Sequence, residues 1–112
     1  MKVLFLPEVV DHFLELAKIL YDKGYLNSQN AASEYAARLF RDIQQYLPIK
    51  ARKVAPALFK REGSGEQFSA FKHNRHTTWY VFYSIYEVEG ETVFLVRKLT
   101  NNHVIAHRLG IK

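Results

Sequence analysis

The strongest structural signal in the chain is Thr77 to Tyr86, a run that reads Thr-Thr-Trp-Tyr-Val-Phe-Tyr-Ser-Ile-Tyr. Such a density of β-branched and aromatic residues is typical of a β-strand. Successive side chains of a strand point to opposite faces, so Trp79 and Val81 share one face while Tyr80 and Phe82 share the other. Both faces are apolar. The run therefore predicts a central strand that is buried on both sides.

Two amphipathic helices are predicted in the first half of the chain. The first follows Pro7, ends at Lys23-Gly24, and carries an apolar stripe of Val10, Phe13, Leu14, Ala17, Leu20 and Tyr21. The second is capped by Asn27-Ser28, stops at Pro48, and has a stripe of Ala32, Tyr35, Ala36, Leu39, Phe40, Ile43 and Leu47. The two helices are expected to form a hairpin.

The other strands are predicted at Lys2 to Leu6, around Phe68 to Phe71, and at Thr92 to Leu99 after a Glu89-Gly90 turn. In the last strand, strict alternation predicts two faces, one of Val93, Leu95, Arg97 and Leu99, the other of Phe94, Val96 and Lys98. The tail from Asn101 to Lys112 fits either an extended edge or a short helix. The predicted fold class is α+β with element order β-α-α-β-β-β, in which two N-terminal helices pack on a small antiparallel sheet.

Length and composition favour one domain over residues 1–112. The chain has 112 residues, 48% of them hydrophobic, and no cysteine, so a single apolar core must stabilise it without disulfides or thiolate metal sites. The apolar run Val3 to Leu6 is broken by Pro7 and Glu8, and it is too short for a signal peptide or a membrane span. A cytoplasmic protein with no membrane association is expected.

The basic charge is concentrated in the second half of the chain. The formal net charge is +5, and residues 48–112 hold eleven Lys or Arg against five Asp or Glu, together with four of the five histidines. This asymmetry is typical of a protein that binds a polyanion such as nucleic acid. A basic, solvated surface without a partner is the alternative.

Two segments resemble the RelE/ParE toxins of bacterial toxin–antitoxin systems. The run Trp79 to Tyr86 is similar to the aromatic-rich third strand of that family, and Val93 to His103 is similar to its last strand and the polar turn that follows. The predicted element order also agrees along nearly the whole chain. The resemblance implies a cognate antitoxin as partner and, for the RelE branch, ribosome-dependent cleavage of mRNA. The ParE branch shares the fold but acts on DNA gyrase.

One departure from the family pattern concerns a catalytic cation. Family strands of this kind often carry an arginine where this chain has Thr78 or Trp79. Arg75 or Arg61 could supply that charge from nearby. The departure favours a second hypothesis, a non-enzymatic toxin of the gyrase-poisoning kind. A third is a decayed member that binds only its antitoxin or operator DNA.

Metal-free RNA cleavage needs a proton acceptor, cations beside the phosphate, and a proton donor for the leaving oxygen. The resemblance assigns proton transfer to His103, a residue type suited to both proton roles. A histidine bonded to Asn101 or Asn102 in a polar turn is the structural alternative. The planar guanidinium group of Arg97 is suited to binding a phosphate. The structural alternative is that Arg97 protects an edge strand from pairing with another sheet. Arg75 and Arg61 complete the predicted catalytic set.

Further basic residues are candidates for RNA binding: Lys50, Arg52, Lys53, Lys60, Lys72, His73 and His76. A solvated charged loop is the alternative for these clusters. Tyr80 and Tyr83 point to opposite faces, so at most one can stack on a base, and both are more simply core residues. A metal site made of His73, His76, His103 and His107 is disfavoured because no carboxylate or cysteine lies at suitable spacing. No cofactor is expected.

Overall fold

The computed structural model describes residues 1–22, 24, 28–50, 53–54, 67–72 and 77–104, with Lys53 and Val54 described by their backbone only. The elements are β1 (Lys2–Phe5), α1 (Pro7–Asp22), α2 (Gln29–Tyr46), a short 3-10 turn (Leu47–Ile49), β2 (Lys53–Val54), β3 (Gln67–Lys72), β4 (Thr78–Val88) and β5 (Glu91–Asn101). The α+β class is confirmed. Within the described residues, the sheet has five strands in the order β1-β5-β4-β3-β2.

The sheet is mixed, so the prediction of a purely antiparallel sheet was wrong. β1 pairs with β5 in parallel, while the other neighbouring strands pair in antiparallel fashion. In the sequence, α1 and α2 separate β1 from the other strands, so β1 can enter the sheet in either direction. Its local sequence does not distinguish parallel from antiparallel pairing. The predicted element order also lacked β2, whose two residues pair with Phe68 and Gln67.

The predicted signals at the ends of the helices and at the hairpin are confirmed. Ser28 caps α2, and its hydroxyl accepts a hydrogen bond from the Ala31 amide at 3.0 Å. Gly24 has a φ of 74° directly after α1, and its amide bonds to the Tyr21 carbonyl at 3.0 Å. Glu89 and Gly90 have φ of 52° and 79°, as a type I′ turn between β4 and β5 requires.

One apolar core joins the helices to one face of the sheet. The helices contribute Val9, Phe13, Leu16, Ala36, Leu39 and Ile43, and the sheet contributes Phe71, Trp79, Val81, Tyr83, Phe94, Val96 and Leu99. The stripe predicted for α2 is confirmed. The stripe predicted for α1 was partly wrong, because Leu14 is 73% exposed while Val9 and Leu16 are buried. On the other face of the sheet, Phe82 stacks on Phe68 at 5.6 Å, with Tyr80 beside them.

β5 contains an extra residue that changes which side chains face the core. Phe82 pairs with Lys98 and Tyr83 pairs with Val96, so Arg97 has no partner in β4. Such a bulge shifts the alternation of side chains by one position. Leu99 therefore joins Phe94 and Val96 in the core, and the prediction that Leu99 lies on the face opposite to them was wrong.

Because of the bulge, we expect two single-residue deletions in β5 to lower the free energy of unfolding by very different amounts. Deleting Arg97 removes the unpaired residue and keeps every other pairing, so we expect it to lower the free energy of unfolding by no more than about 1 kcal/mol. Deleting Leu95 instead turns Val96 outward and drives Arg97 toward the core, at a cost of about 4 kcal/mol or more. Urea denaturation of both variants provides the measurement. Equal losses of stability in the two variants would contradict the assigned register.

Candidate functional site

Three strands bring polar and basic side chains to one end of the sheet. β3 ends at Lys72, β4 begins at Thr78, and β5 ends at Asn101. Lys72 pairs with Thr78, and the Thr78 amide donates to the Asn102 side-chain oxygen at 2.9 Å. Because neighbouring strands lie about 4.8 Å apart, Lys72 and Asn102 are separated by about 10 Å. We call Lys50, Lys72, Thr77, Asn102 and His103 the sheet-end site.

His103 is exposed in the short helical segment that follows β5. Its Nε2 atom lies 3.0 Å from the hydroxyl oxygen of Thr77, the residue before β4. The predicted structural alternative, a bond to Asn101 or Asn102, is not what is seen. Those two amide oxygens instead accept from the backbone amides of Val104, at 3.0 Å, and Thr78. The turn is thus held by the asparagines, and the His103 ring faces solvent with one nitrogen bonded.

Two of the predicted RNA-binding cations lie at this end of the sheet. The Lys50 ammonium sits 4.6 Å from the ring centroid of Phe71 on the helix-covered face, a cation–π contact that fixes its position. Lys72 is the next residue along β3 and is exposed. Since side chains alternate along a strand, Lys72 points to the face opposite Phe71. The two cations therefore flank the end of β3 from both sides.

Arg97 lies elsewhere, in a groove between α1 and β5. Glu8, Val9, His12, Arg97, Lys98 and Leu99 line this groove, whose volume is about 260 Å³. β1 pairs with β5 only as far as Val96, so the edge of β5 beyond that residue meets no strand of the described ranges. Asn101 is four positions beyond Arg97, which is about 13 Å along the strand. Arg97 therefore lies in the groove, apart from the strand ends that position His103.

His12 is the groove residue that the sequence analysis missed. Its ring packs nearly perpendicular to that of Trp79 at a centroid distance of 6.5 Å, and the Trp79 indole donates to the Tyr35 hydroxyl at 3.0 Å. Burial lowers the pKa of His12 below its ordinary value of 6.5, while the nearby carboxylate of Glu15 opposes that shift. The i, i+4 spacing of Glu8 and His12 was the signal in the sequence that could have revealed this face of α1.

The remaining predicted residues divide into two groups. Lys53 lies in β2, so the alternative of a solvated loop does not hold for its backbone. The other predictions lie outside the described residues: Arg52, Lys60, Arg61, His73, Arg75, His76 and His107. Tyr83 is 1% exposed and Tyr80 packs against Phe68, so both belong to apolar clusters. No group of three or more metal-ligating side chains occurs within the described ranges.

The His12 ring predicts a pH dependence of stability. Its pKa is lower in the folded chain than in the unfolded chain, so the unfolded state binds more protons as the pH falls below 6.5. The stabilising contribution of neutral His12 is complete above this pH and is lost as the pH falls through the folded-state pKa. Glu15 and Glu8 on α1, and Arg97 and Lys98 on β5, are the charged groups around it.

Urea denaturation of the natural chain and His12→Gln between pH 5 and pH 8 tests this expectation, since glutamine keeps polarity and bulk without titrating. We expect the natural chain to lose stability relative to the variant as the pH falls. A constant difference between the two across this range would contradict the assigned environment of His12.

The chain was compared with protein-family models, with curated proteins and with solved structures, and none of them matches it. A search of the described helices for one long and apolar enough to cross a membrane found none.

Proposed function

We propose that this chain is the toxin of a bacterial toxin–antitoxin pair, a RelE/ParE-like endoribonuclease that cleaves mRNA on the ribosome and thereby inhibits translation. The observation that carries the proposal is the exposed His103 ring, bonded to Thr77 at 3.0 Å, at a sheet end that also presents Lys72 and Lys50. The element order of two leading helices and an antiparallel β3-β4-β5 unit adds support. A cognate antitoxin would be the regulating partner in the cytoplasm.

The hydrogen bond to Thr77 suits His103 to act as a base. When Nε2 carries the proton and donates to the Thr77 hydroxyl oxygen, Nδ1 is left with a lone pair directed away from Thr77. That nitrogen would take the proton from a ribose 2′-hydroxyl. The 2′-oxygen would then form a bond to phosphorus while the bond from phosphorus to the 5′-oxygen breaks. The imidazolium returns the proton to the departing 5′-oxygen, so no external acid is needed.

Lys72 and Lys50 lie on opposite faces of the sheet, so one of the two would stabilise the negative charge that develops on the phosphate during this step, and the other would contact a neighbouring phosphate of the same RNA. Lys50 is half-buried with its ammonium over Phe71, whereas Lys72 is exposed. Arg75 and Arg61 remain proposed phosphate contacts from the basic segments, with Arg52, Lys53, Lys60, His73 and His76 as proposed RNA contacts. Arg97 would contact the RNA away from the scissile phosphate, given the distance of about 13 Å to Asn101.

An alternative proposal is a non-enzymatic toxin that acts on DNA gyrase. It is motivated by the residues that stand where the family commonly has an arginine. Trp79 is 3% exposed and its indole bonds to Tyr35, while the Thr78 amide bonds to Asn102. Neither side chain offers a cation. If the basic segments do not replace that charge, the sheet-end site would lack part of its electrostatic stabilisation, and RNA cleavage would be slow.

The proposal predicts the behaviour of three variants produced in a bacterial host without the antitoxin. His103→Ala should lower mRNA cleavage about 10²- to 10⁴-fold, the usual contribution of a positioned proton-transfer group. Thr77→Val should lower cleavage by less, because it keeps the imidazole and removes the hydrogen bond that orients the ring. Val104→Ala changes an exposed neighbour and should cleave normally. Primer extension of transcripts, with and without a translation inhibitor, provides the measurement.

Three other outcomes would overturn the nuclease proposal. Growth arrest without transcript cuts, accompanied by DNA damage, would favour the gyrase alternative. Unimpaired growth with the natural chain would leave a decayed member that only binds an antitoxin or operator DNA. Cleavage that persists in His103→Ala while Val104→Ala and the natural chain behave alike would remove His103 from the chemistry.

A further inference from the structure

The groove between α1 and β5 combines a carboxylate, a guanidinium and an aromatic ring above an apolar floor. Glu8 and Arg97 line its rim with His12 and Lys98, and the buried side chains of Val9 and Leu99 lie beneath them. Within the described residues, the side chains of Glu8 and Arg97 form no hydrogen bond or ion pair with each other or with a third residue. Both polar groups therefore remain available to a ligand.

The volume of the groove is that of a site for a small ligand. Its volume of about 260 Å³ lies below the range of about 300 to 1,000 Å³ that is typical of sites for whole cofactors or drug-sized molecules. A small, planar group fits this volume. The ring of His12, backed by Trp79 at 6.5 Å, supplies an aromatic surface on which such a group could stack.

The polar groups of the groove indicate which hydrogen-bond donors and acceptors the ligand must carry. A carboxylate has two acceptor oxygens and pairs best with two adjacent donors, while the arginine fork pairs best with two adjacent acceptors. Guanine is the nucleobase that presents both arrangements, with donors at N1 and N2 and acceptors at O6 and N7. Adenine and cytosine each offer only one exocyclic donor beside their acceptors, and uracil offers a single ring donor. The charges at the groove therefore match guanine better than the other bases.

We propose that this groove is a guanine subsite, in which Glu8 accepts from the N1–H and N2–H groups, Arg97 donates to O6 and N7, and His12 stacks on the base. The inference rests on the proposed RNA-cleaving function, since it makes the groove a reader of one base of the same RNA strand. Groove and sheet-end site are adjacent, because Trp79 contacts His12 and its Cα partner in β5 is Asn101. A guanine held here would set the position of the cut.

The chain contains a single tryptophan, so the one indole N–H signal in a ¹H–¹⁵N NMR spectrum reports on Trp79 beside His12. Titration of the natural chain with GMP, AMP, CMP and UMP should shift this signal, with GMP binding about tenfold more tightly than the other three. Glu8→Gln should remove most of that preference. Asp11→Asn is the matched control, since it removes another exposed carboxylate from α1 that does not line the groove.

A second set of titrations distinguishes a base within RNA from a free nucleotide. A tetranucleotide that contains one guanosine should bind more tightly than GMP, because the sheet-end cations add phosphate contacts. Equal or weaker binding of the tetranucleotide would overturn the RNA subsite in favour of a free guanine nucleotide. Equal affinity for all four mononucleotides, no binding of any guanine-containing probe, or an unchanged preference in folded Glu8→Gln would overturn the guanine assignment itself.

These binding measurements do not depend on cleavage, so the two proposals can fail separately. Guanine-selective binding by a chain that cuts no transcript would overturn the nuclease function and retain the base subsite as a binding site. Ribosome-dependent cuts that lack a guanine at a fixed distance, together with unselective binding, would overturn the subsite and retain the nuclease.

Discussion

The burial of Trp79 is the interaction on which the rest of the structure depends. Its side chain is 3% exposed in the main core, and its indole nitrogen donates to the Tyr35 hydroxyl at 3.0 Å. Since Tyr35 belongs to α2 and His12, which meets the same indole, belongs to α1, one side chain fixes both helices against the sheet. The Cα partners of Trp79 are Phe71 and Asn101. Phe71, Trp79 and Asn101 thus form one row across the three strands, and the residues of the sheet-end site lie just beyond this row.

Much of the fold followed from local pattern. The alternation around Trp79, Tyr80, Val81 and Phe82 predicted a central strand with two apolar faces, and both apolar clusters are present. The cap at Ser28 and the turn at Gly90 were also predictable, because each is a local choice of backbone conformation that few residue types satisfy. In these places the local preference and the tertiary structure agree.

Other features depend on interactions that are distant in sequence. α1 carries two overlapping apolar stripes, and only packing against the sheet decides that Val9 is buried while Leu14 is exposed. No local sequence signal indicates the bulge at Arg97, since an arginine can occupy any exposed strand position. This bulge alone shifts Leu99 into the core. For the candidate site, the resemblance suggested His103, which the structure shows exposed and bonded to Thr77. The groove at His12 was not predictable, because it forms only where α1 crosses the edge of β5 beyond its pairing with β1.

The proposed cleavage of RNA at the sheet-end site depends on proton transfer by His103. The most direct test is to incubate the purified protein with a defined mRNA, either free or bound to a programmed ribosome, and to determine the chemistry of the new ends. Attack by the 2′-oxygen predicts 2′,3′-cyclic phosphate and 5′-hydroxyl ends on ribosome-bound mRNA, with free mRNA left intact. Intact mRNA in both reactions, or cut ends that carry a 5′-phosphate, would contradict the account.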